Sequence, residues 1–411
     1  MRVLVIGGGV VGLCSAYSLT ERGFEVVVVD PDDGPRTSYI NGGMIVPSHV
    51  IPLAAPGMVG TGLKMLWRPK SPFWIRPRLD RDLIRWALRF AKACTRENVE
   101  QGKKLLAQLN VASKRAYLDF ARDLGGFEVV RRGLLMVAKR EKTLEEEAHV
   151  AAQVRDLELP ANVLRGKELA EIDPAIRMDA AGGVHYPEDA HLSPGQFMAA
   201  LRDRLELQKV RFERTRVETL AQTSGRIDRA ETASGPLRAD AYVLAAGAWS
   251  GRLATRIGLD LPLQAGKGYS FQIPDPPECP EVCAILMEGR VAVTPMEGGI
   301  RFAGTMEIGL PDSVIHALRV EGIRESVADC YPAFRGFDLR RAPVSVGLRP
   351  CSPDGLPYIG RSERCENLVV ATGHAMMGMS LGPITGRLVA EVVAGEKPQI
   401  DLARLRPDRF T

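Results

Sequence analysis

Three glycines, Gly7, Gly9 and Gly12, follow the apolar run Val3 to Ile6 and open a second apolar stretch. That spacing after a strand has a chemical use. The first glycine makes a tight turn, the second lets backbone approach a pyrophosphate, and the third packs helix on strand, with Val10 and Val11 at the helix start. Phe24 to Asp30 is a β-branched run whose terminal carboxylate, Asp30, is placed to accept from ribose hydroxyls. An acid there disfavours the 2′-phosphate of NADP and leaves FAD and NAD open. Next come Arg36-Thr-Ser38 and Asn41-Gly42-Gly43-Met44, a polar, glycine-bearing segment where an NAD domain would continue its strand and helix alternation. Much later, Ala245-Ala246-Gly247-Ala-Trp249 ends a buried run in small residues, as needed where backbone must lie close to an adenosine or pyrophosphate. A third group is Gly347-Leu-Arg349-Pro-Cys-Ser-Pro-Asp354, followed by Gly373-His374 and Met377-Gly378-Met379-Ser380. His185 and His191, with Glu188 and Asp189 between them, lack the i, i+4 spacing of a helical metal site, and no metal is expected.

The elements that must position these residues follow from periodicity. Val3 to Ile6, a helix from Leu13 to about Arg22, and Phe24 to Asp30 form one parallel βαβ unit. Leu83 to Leu124 reads as largely helical, Gly133 to Val137 as a strand before a charged helix, Pro194 to Leu207 as a helix, and Val210 to Leu220 as a strand. Leu261 to Ile273, Val291 to Val293 and Ile300 to Ala303 read as strands of another sheet, and Gly382 to Val393 as the closing helix. The uncharged stretch Thr37 to Leu63 carries five glycines and three prolines and reads as buried loop.

A chain of 411 residues with 45% apolar and 25% charged residues is a folded protein of two domains or one large composite domain. Its net charge of +4 gives no reason to expect a nucleic-acid partner. Seven scattered cysteines without a CxxC pair argue against a disulfide framework and a thiolate zinc site. Met1 is followed at once by the first strand, with no signal-peptide pattern, so a cytoplasmic location is expected. Residues 64–92 hold nine basic residues against Asp80 and Asp82, together with Trp67, Trp74 and Trp86. Such a mixture suits peripheral contact with the inner face of an anionic membrane.

The combination of these motifs with Lys267-Gly-Tyr-Ser270 and Val291-Ala-Val-Thr294 resembles one family across nearly the whole chain. It is that of the FAD-dependent amine and amino-acid oxidoreductases: D-amino acid oxidase, glycine oxidase, sarcosine oxidase and, most similar, bacterial D-amino acid dehydrogenase. The resemblance implies an α/β fold with a Rossmann-like FAD domain of the glutathione-reductase type, assembled from residues 1–75, 180–262 and 340–411. A mixed-sheet α+β substrate domain would take 76–179 and 263–339. It implies non-covalent FAD, because Gly347 stands where sarcosine oxidase has its tethering cysteine. Gly7, Gly9, Val10, Val11, Gly12, Asp30 and Ser38 would hold the pyrophosphate and ribose, with Val217, Ala246, Gly247 and Trp249 beside the ADP part. Asn41, Gly42, Gly43 and Met44 would line the flavin, and Gly373, His374, Met377, Gly378, Met379 and Ser380 its pyrimidine end. Arg349 would bind a substrate carboxylate, a task its planar, permanently charged fork suits. The cap strand Val291 to Pro295 lacks the substrate-binding tyrosine of some relatives, and Tyr269 is the substitute expected, with His374 also at the substrate. The reaction implied is oxidative deamination of D-amino acids to 2-oxo acids and ammonia by hydride transfer from Cα to flavin N5, with electrons passed to quinone or another non-oxygen acceptor. The alternatives are oxidation of proline, hydroxyproline or N-methyl amino acids, and an FAD-holding electron-transfer subunit without a substrate of its own. Side-chain preference and oligomeric state have no signal in the sequence.

Overall fold

The computed structural model describes residues 1–31, 37–66, 69–76, 78, 80–309 and 311–411. The β-branched runs at the N-terminus build the centre of a six-stranded sheet. Its order is Tyr358–Arg361, Leu368–Thr372, Ala241–Leu244, Arg2–Ile6, Glu25–Val29 and Arg211–Glu213. All neighbours are parallel except the first pair. Parallel strands covered on both faces read as continuous apolar runs, and Val3, Leu4, Val5 and Ile6 are all buried. The helices Val10–Thr20 and Gly378–Ala394 pack against each other at glycines, where a Cβ on Gly386 would stand 2.4 Å from the Cys14 carbonyl oxygen.

The closing helix begins at Gly378, four residues before the expected Gly382, and carries Pro383 inside it. Proline removes the N–H that would bond to the carbonyl of Met379. The buried Tyr117 hydroxyl donates to that carbonyl instead, at 2.5 Å.

The second sheet has nine strands and mixed directions. Its main path runs Ser345–Cys351, Gln264–Ile273, Gly299–Gly309, Val291–Met296, Cys283–Leu286, Leu134–Ala138, Gly182–Tyr186 and Asn162–Arg165, with Phe73–Ile75 paired to Gly299–Gly309. The strands at 73–75, 182–186 and 345–351 thus belong to this sheet, although they come from segments assigned to the FAD domain from sequence. Helix Ala317–Cys330 covers one of its faces through Val320, Ile323 and Val327.

Several local expectations change. Val210 to Leu220 is broken into Arg211–Glu213 in the first sheet and Val217–Thr223 in a separate hairpin. The expected loop from Thr37 to Leu63 holds a short strand, Met44–Ile45, and the start of helix Met58–Leu66. Of the tryptophans read as membrane anchors, Trp67 lies outside the described residues. Trp86 is buried and donates to the Cys351 carbonyl at 2.9 Å, and Trp74 lies under the Arg319 guanidinium. The basic excess of that segment is also offset by acids from elsewhere: Glu325 on Lys70, Asp312 on Arg76, and Asp260 on Arg85 and Arg89. No helix among the described residues is long and apolar enough to cross a membrane.

Candidate active site

A cavity of about 550 Å³ opens at the C-terminal ends of the parallel strands, lined by the residues that leave them: Gly7, Asp30, Ala245, Ala246 and Thr372. This is where doubly wound sheets bind ligands. Gly7 has φ +115°, and a Cβ there would meet the Ala245 carbonyl oxygen at 2.4 Å. Gly9, Val10 and Val11 line the cavity, while Gly12 lies behind it, where a Cβ would be 1.9 Å from the Gly7 oxygen. The third glycine therefore packs and does not touch the cavity. The Gly8 N–H donates to Asp30 Oδ2 at 2.7 Å and the Val10 N–H to Ser38 Oγ at 2.9 Å, so the carboxylate and the hydroxyl are held at the glycine turn. Arg36 lies outside the described residues.

Gly378 and Met379, at the start of the closing helix, also line the cavity, so two helix N-termini with their positive ends face it. Val217, Ala246, Gly247 and Trp249 line the cavity, joined by arginines at 202, 214, 216, 252 and 256. These basic residues were not singled out in the sequence. Arg202 comes from helix Pro194–Leu207, Arg214 and Arg216 from one loop, and Arg252 and Arg256 from helix Ser250–Arg256, and only the fold gathers them.

Arg349 and His374 line the cavity as well. Arg349 is half-buried, and burial lowers its pKa. Its Nη1 donates to the Thr305 carbonyl at 2.5 Å, and no carboxylate among the described residues forms an ion pair with it. His374 is buried, its Nε2 is 2.9 Å from Thr385 Oγ1, and desolvation depresses its pKa to about 3. The ring is neutral at physiological pH and is no proton acceptor of ordinary strength.

Tyr269 is not at the cavity. Side chains alternate along the Gln264–Ile273 strand. Gly266 and Gly268 face Met306 and the Arg349 guanidinium, while Tyr269 and Phe271 pack with Val320 and Ile323 of the covering helix. The Tyr269 hydroxyl bonds Glu307 Oε2 at 3.1 Å, beside the buried Lys267–Glu307 ion pair.

Asn41 lines the cavity and accepts from the Gly43 N–H at 2.9 Å. Gly42, Gly43, Met44, Gly373, Met377 and Ser380 are not among its lining residues. Gly43 is pressed against the Leu192 carbonyl, Gly373 against the Tyr358 ring, and Ser380 Oγ accepts from the Val46 N–H at 3.1 Å. They support the wall from behind. Arg301, which the sequence could not place, fastens this segment: its Nη1 donates to the carbonyls of Tyr39 and Asn41, each at 2.9 Å, and its Nη2 to Gln272. Thr294 Oγ1 adds a bond to the Gly42 carbonyl at 2.6 Å. Among the described residues no group of three or more His, Cys, Asp or Glu could hold a metal ion.

A turn that excludes side chains at the pyrophosphate position, two converging helix ends, and an acid at the ribose position fit a dinucleotide flavin. Comparison with known proteins agrees. Residues 2–392 match the model of the FAD dependent oxidoreductase family. A protein of Bradyrhizobium diazoefficiens named D-amino acid dehydrogenase is 33% identical over 419 residues, covering 100% of this chain and 99% of that one. One of the same name from Methylobacterium radiotolerans is 35% identical over 416 residues, covering 97% of each. Among solved structures, glycine oxidase from Geobacillus kaustophilus superimposes with a TM-score of 0.76 at 23% identity, covering 100% of this chain and 99% of the other. L-proline dehydrogenase from P. horikoshii gives 0.70 at 18%, covering 100% and 97%. At those identities the structural likeness speaks for the fold, whereas the family match spans nearly all of the sequence: the chain belongs to the FAD-dependent oxidoreductase family and is an FAD enzyme.

Proposed function

We propose that this enzyme oxidatively deaminates D-amino acids to 2-oxo acids and ammonia, with Arg349 holding the substrate carboxylate. The observation that carries the reading is a guanidinium at the cavity, with a backbone carbonyl as its hydrogen-bond partner and no acid among the described residues paired to it. A half-buried cation in that state is poised for an anionic ligand, and its fork matches a carboxylate. The relatives named D-amino acid dehydrogenase supply the substrate class.

In this reading Gly7, Gly9, Val10 and Val11 receive the FAD pyrophosphate, Asp30 the ribose, and Val217, Ala246, Gly247 and Trp249 the adenosine part. Asn41, Gly378, Met379 and His374 stand at the flavin end, and Gly12, Gly42, Gly43, Met44, Gly373, Met377 and Ser380 support from behind. No covalent tether is expected, since Gly347 has no side chain to supply one and the Cys351 thiol is turned toward Met306. Bound flavin supplies the two-electron acceptor for the substrate's Cα–H bond. The protein's part is to orient the carboxylate so that Cα is presented to it, without a protein base, because burial leaves His374 a weak proton acceptor.

Electrons then pass to quinone or another non-oxygen acceptor. Contact with an anionic membrane is proposed through Leu63, Ile84 and Leu88, all exposed, beside the basic residues Lys64 and Arg81. Ile84 and Leu88 are one helical turn apart and share a face. Flotation with anionic vesicles tests this, and absence of binding refutes it.

The function itself is tested by anaerobic mixing of the yellow holoenzyme with D- and L-amino acids, proline, hydroxyproline, glycine and sarcosine while following flavin absorbance. Bleaching by several D-amino acids is the expected result. Bleaching only by cyclic or N-methyl amino acids, or by none, refutes the assignment.

A further inference from the structure

The pairing of the Gln264–Ile273 and Gly299–Gly309 strands slips at one place. Lys267 faces Glu307, yet Tyr269 faces Gly304, so Thr305 and Met306 together oppose Gly268. This is a bulge in the longer strand, of the kind that re-aims a group beside a site. Thr305 adopts φ +69°, a left-handed conformation that is rare and costly for a β-branched residue and is usually left to glycine. Thr305 is buried, and its carbonyl is the one that accepts from Arg349 Nη1.

Gly268, across the bulge, completes the seat. A Cβ there would lie 2.2 Å from Arg349 Nη1 and 2.5 Å from both Cζ and Nη2, so the guanidinium occupies the place a side chain would take. The next position on the same face is closed in the same way: Met306 Sδ would be 2.4 Å from a Cβ on Gly266. Without the bulge the Thr305 carbonyl would lie in the regular ladder and could not turn to the guanidinium. With any side chain at 268, the guanidinium would stand farther from the sheet.

We propose that Gly268 and Thr305 are positioning residues that set how far Arg349 reaches into the cavity, and thereby the depth at which a substrate carboxylate and its Cα are held. This rests on the reading of Arg349 as the carboxylate-binding residue. The backbone at 268 limits the guanidinium from the sheet side and the bulged carbonyl at 305 fixes its rotation. The device selects by distance. Substrates whose Cα sits one bond from the carboxylate are served, and a shift of the anchor by about 1 Å, enough to cost on the order of 10²-fold in rate, misplaces them.

The test uses the FAD holoenzyme and two readouts: the dissociation constant of a simple carboxylate, benzoate, followed by perturbation of the flavin spectrum, and the anaerobic rate of flavin reduction by D-alanine. Gly268→Ala is expected to lower the limiting rate of reduction by roughly 10²-fold and weaken benzoate while FAD affinity stays near the parent's. Thr305→Gly relieves the strained φ but frees the carbonyl. Its melting temperature should be unchanged or higher while benzoate binds several-fold more weakly, a combination that a merely structural role would not give. Arg349→Ala separates the two levels of the argument. If it leaves benzoate affinity unaltered, the carboxylate assignment fails. If it abolishes binding while Gly268→Ala and Thr305→Gly both behave as the parent, the positioning proposal alone is overturned. Should Gly268→Ala not bind FAD, the Thr305→Gly result decides by itself, weaker benzoate supporting the proposal and unchanged benzoate overturning it.

Discussion

Replacing Arg349 by alanine removes a guanidinium that lines the cavity and has no acidic partner among the described residues. Two effects follow and can be told apart. In the complex, a substrate carboxylate loses both donors of the fork. Breaking a buried charge pair by removing one partner costs about 3–5 kcal/mol, which corresponds to a fall in kcat/KM of roughly 10²- to 10⁴-fold at 1.4 kcal/mol per tenfold. In the free protein, the Thr305 carbonyl loses its donor, and an unsatisfied buried acceptor costs about 1–3 kcal/mol of stability. Arg349→Lys keeps the charge but offers a point donor instead of a fork, so it should fall between, with a loss of about ten- to a hundred-fold for a single charge-assisted bond worth 1.5–3 kcal/mol. Stopped-flow reduction of the flavin without oxygen, fitted for both limiting rate and substrate dissociation constant, is the assay. A cavity lacking its anchor should show weaker binding and slower reduction together, because the carboxylate both binds and orients. An amine without a carboxylate should reduce parent and variant equally poorly. Reduction of Arg349→Ala by D-amino acids with unchanged constants would refute the reasoning outright.

Other outcomes follow from the same geometry. Asp30→Ala removes the acceptor of the Gly8 N–H and the acid facing the ribose position, so FAD should dissociate roughly 10- to 100-fold more readily, as measured by titrating apoprotein and following flavin fluorescence; unchanged affinity would remove Asp30 from the cofactor site. His374 is already neutral, with a pKa pushed down to about 3, so His374→Gln should keep the rise in reductive rate toward alkaline pH, which comes from the substrate amine losing its proton; loss of that rise would return the histidine to a proton-transfer role. Asp189 is fully buried, and desolvation lifts its pKa from 3.8 to about 7 despite hydrogen bonds from the Ser48 N–H and hydroxyl. Between those values the folded protein keeps a proton that the unfolded chain releases, so this residue's contribution to stability is full below pH 3.8 and is lost as pH rises through 7. His49, His191 and His374, all depressed by burial, act in the opposite sense below 6.5, so the diagnostic quantity is the difference between parent and Asp189→Asn in denaturant unfolding. The variant should gain on the parent by a few kcal/mol between pH 5 and 8, and a constant difference would show that Asp189 does not titrate there.

Much of the cofactor part was legible before any coordinates. Gly7, Gly9 and Gly12 follow a strand and open a helix, and Asp30 ends the next strand; both signals are local, because turn geometry and a helix start are decided within a few residues. The helix expected from about Pro194 to Leu207 was readable for the same reason, with proline at its first position. Arg349 could be singled out by its glycine and proline neighbours. What surrounds it could not. Thr305 is 44 residues away in sequence and Gly268 further still, and they meet Arg349 because three strands pair and one of them is bulged. The error at Tyr269 has the same origin: which face of a strand meets the cavity depends on register, and a one-residue change exchanges the faces. Trp86 shows the limit of composition, since an aromatic residue in a basic segment is equally suited to a membrane surface or to a carbonyl in the core, and packing against Cys351 chose the core. The sequence by itself determined the nucleotide-binding turn and its acid, because each is carried by residues that are neighbours along the chain, whereas the role expected of Arg349 came from the family resemblance. The reach of Arg349, the face of Tyr269 and the buttress from Arg301 were decided only by the tertiary structure, because each depends on strand register between segments far apart; the arginines at the cavity come from helices and a loop that only the fold brings together.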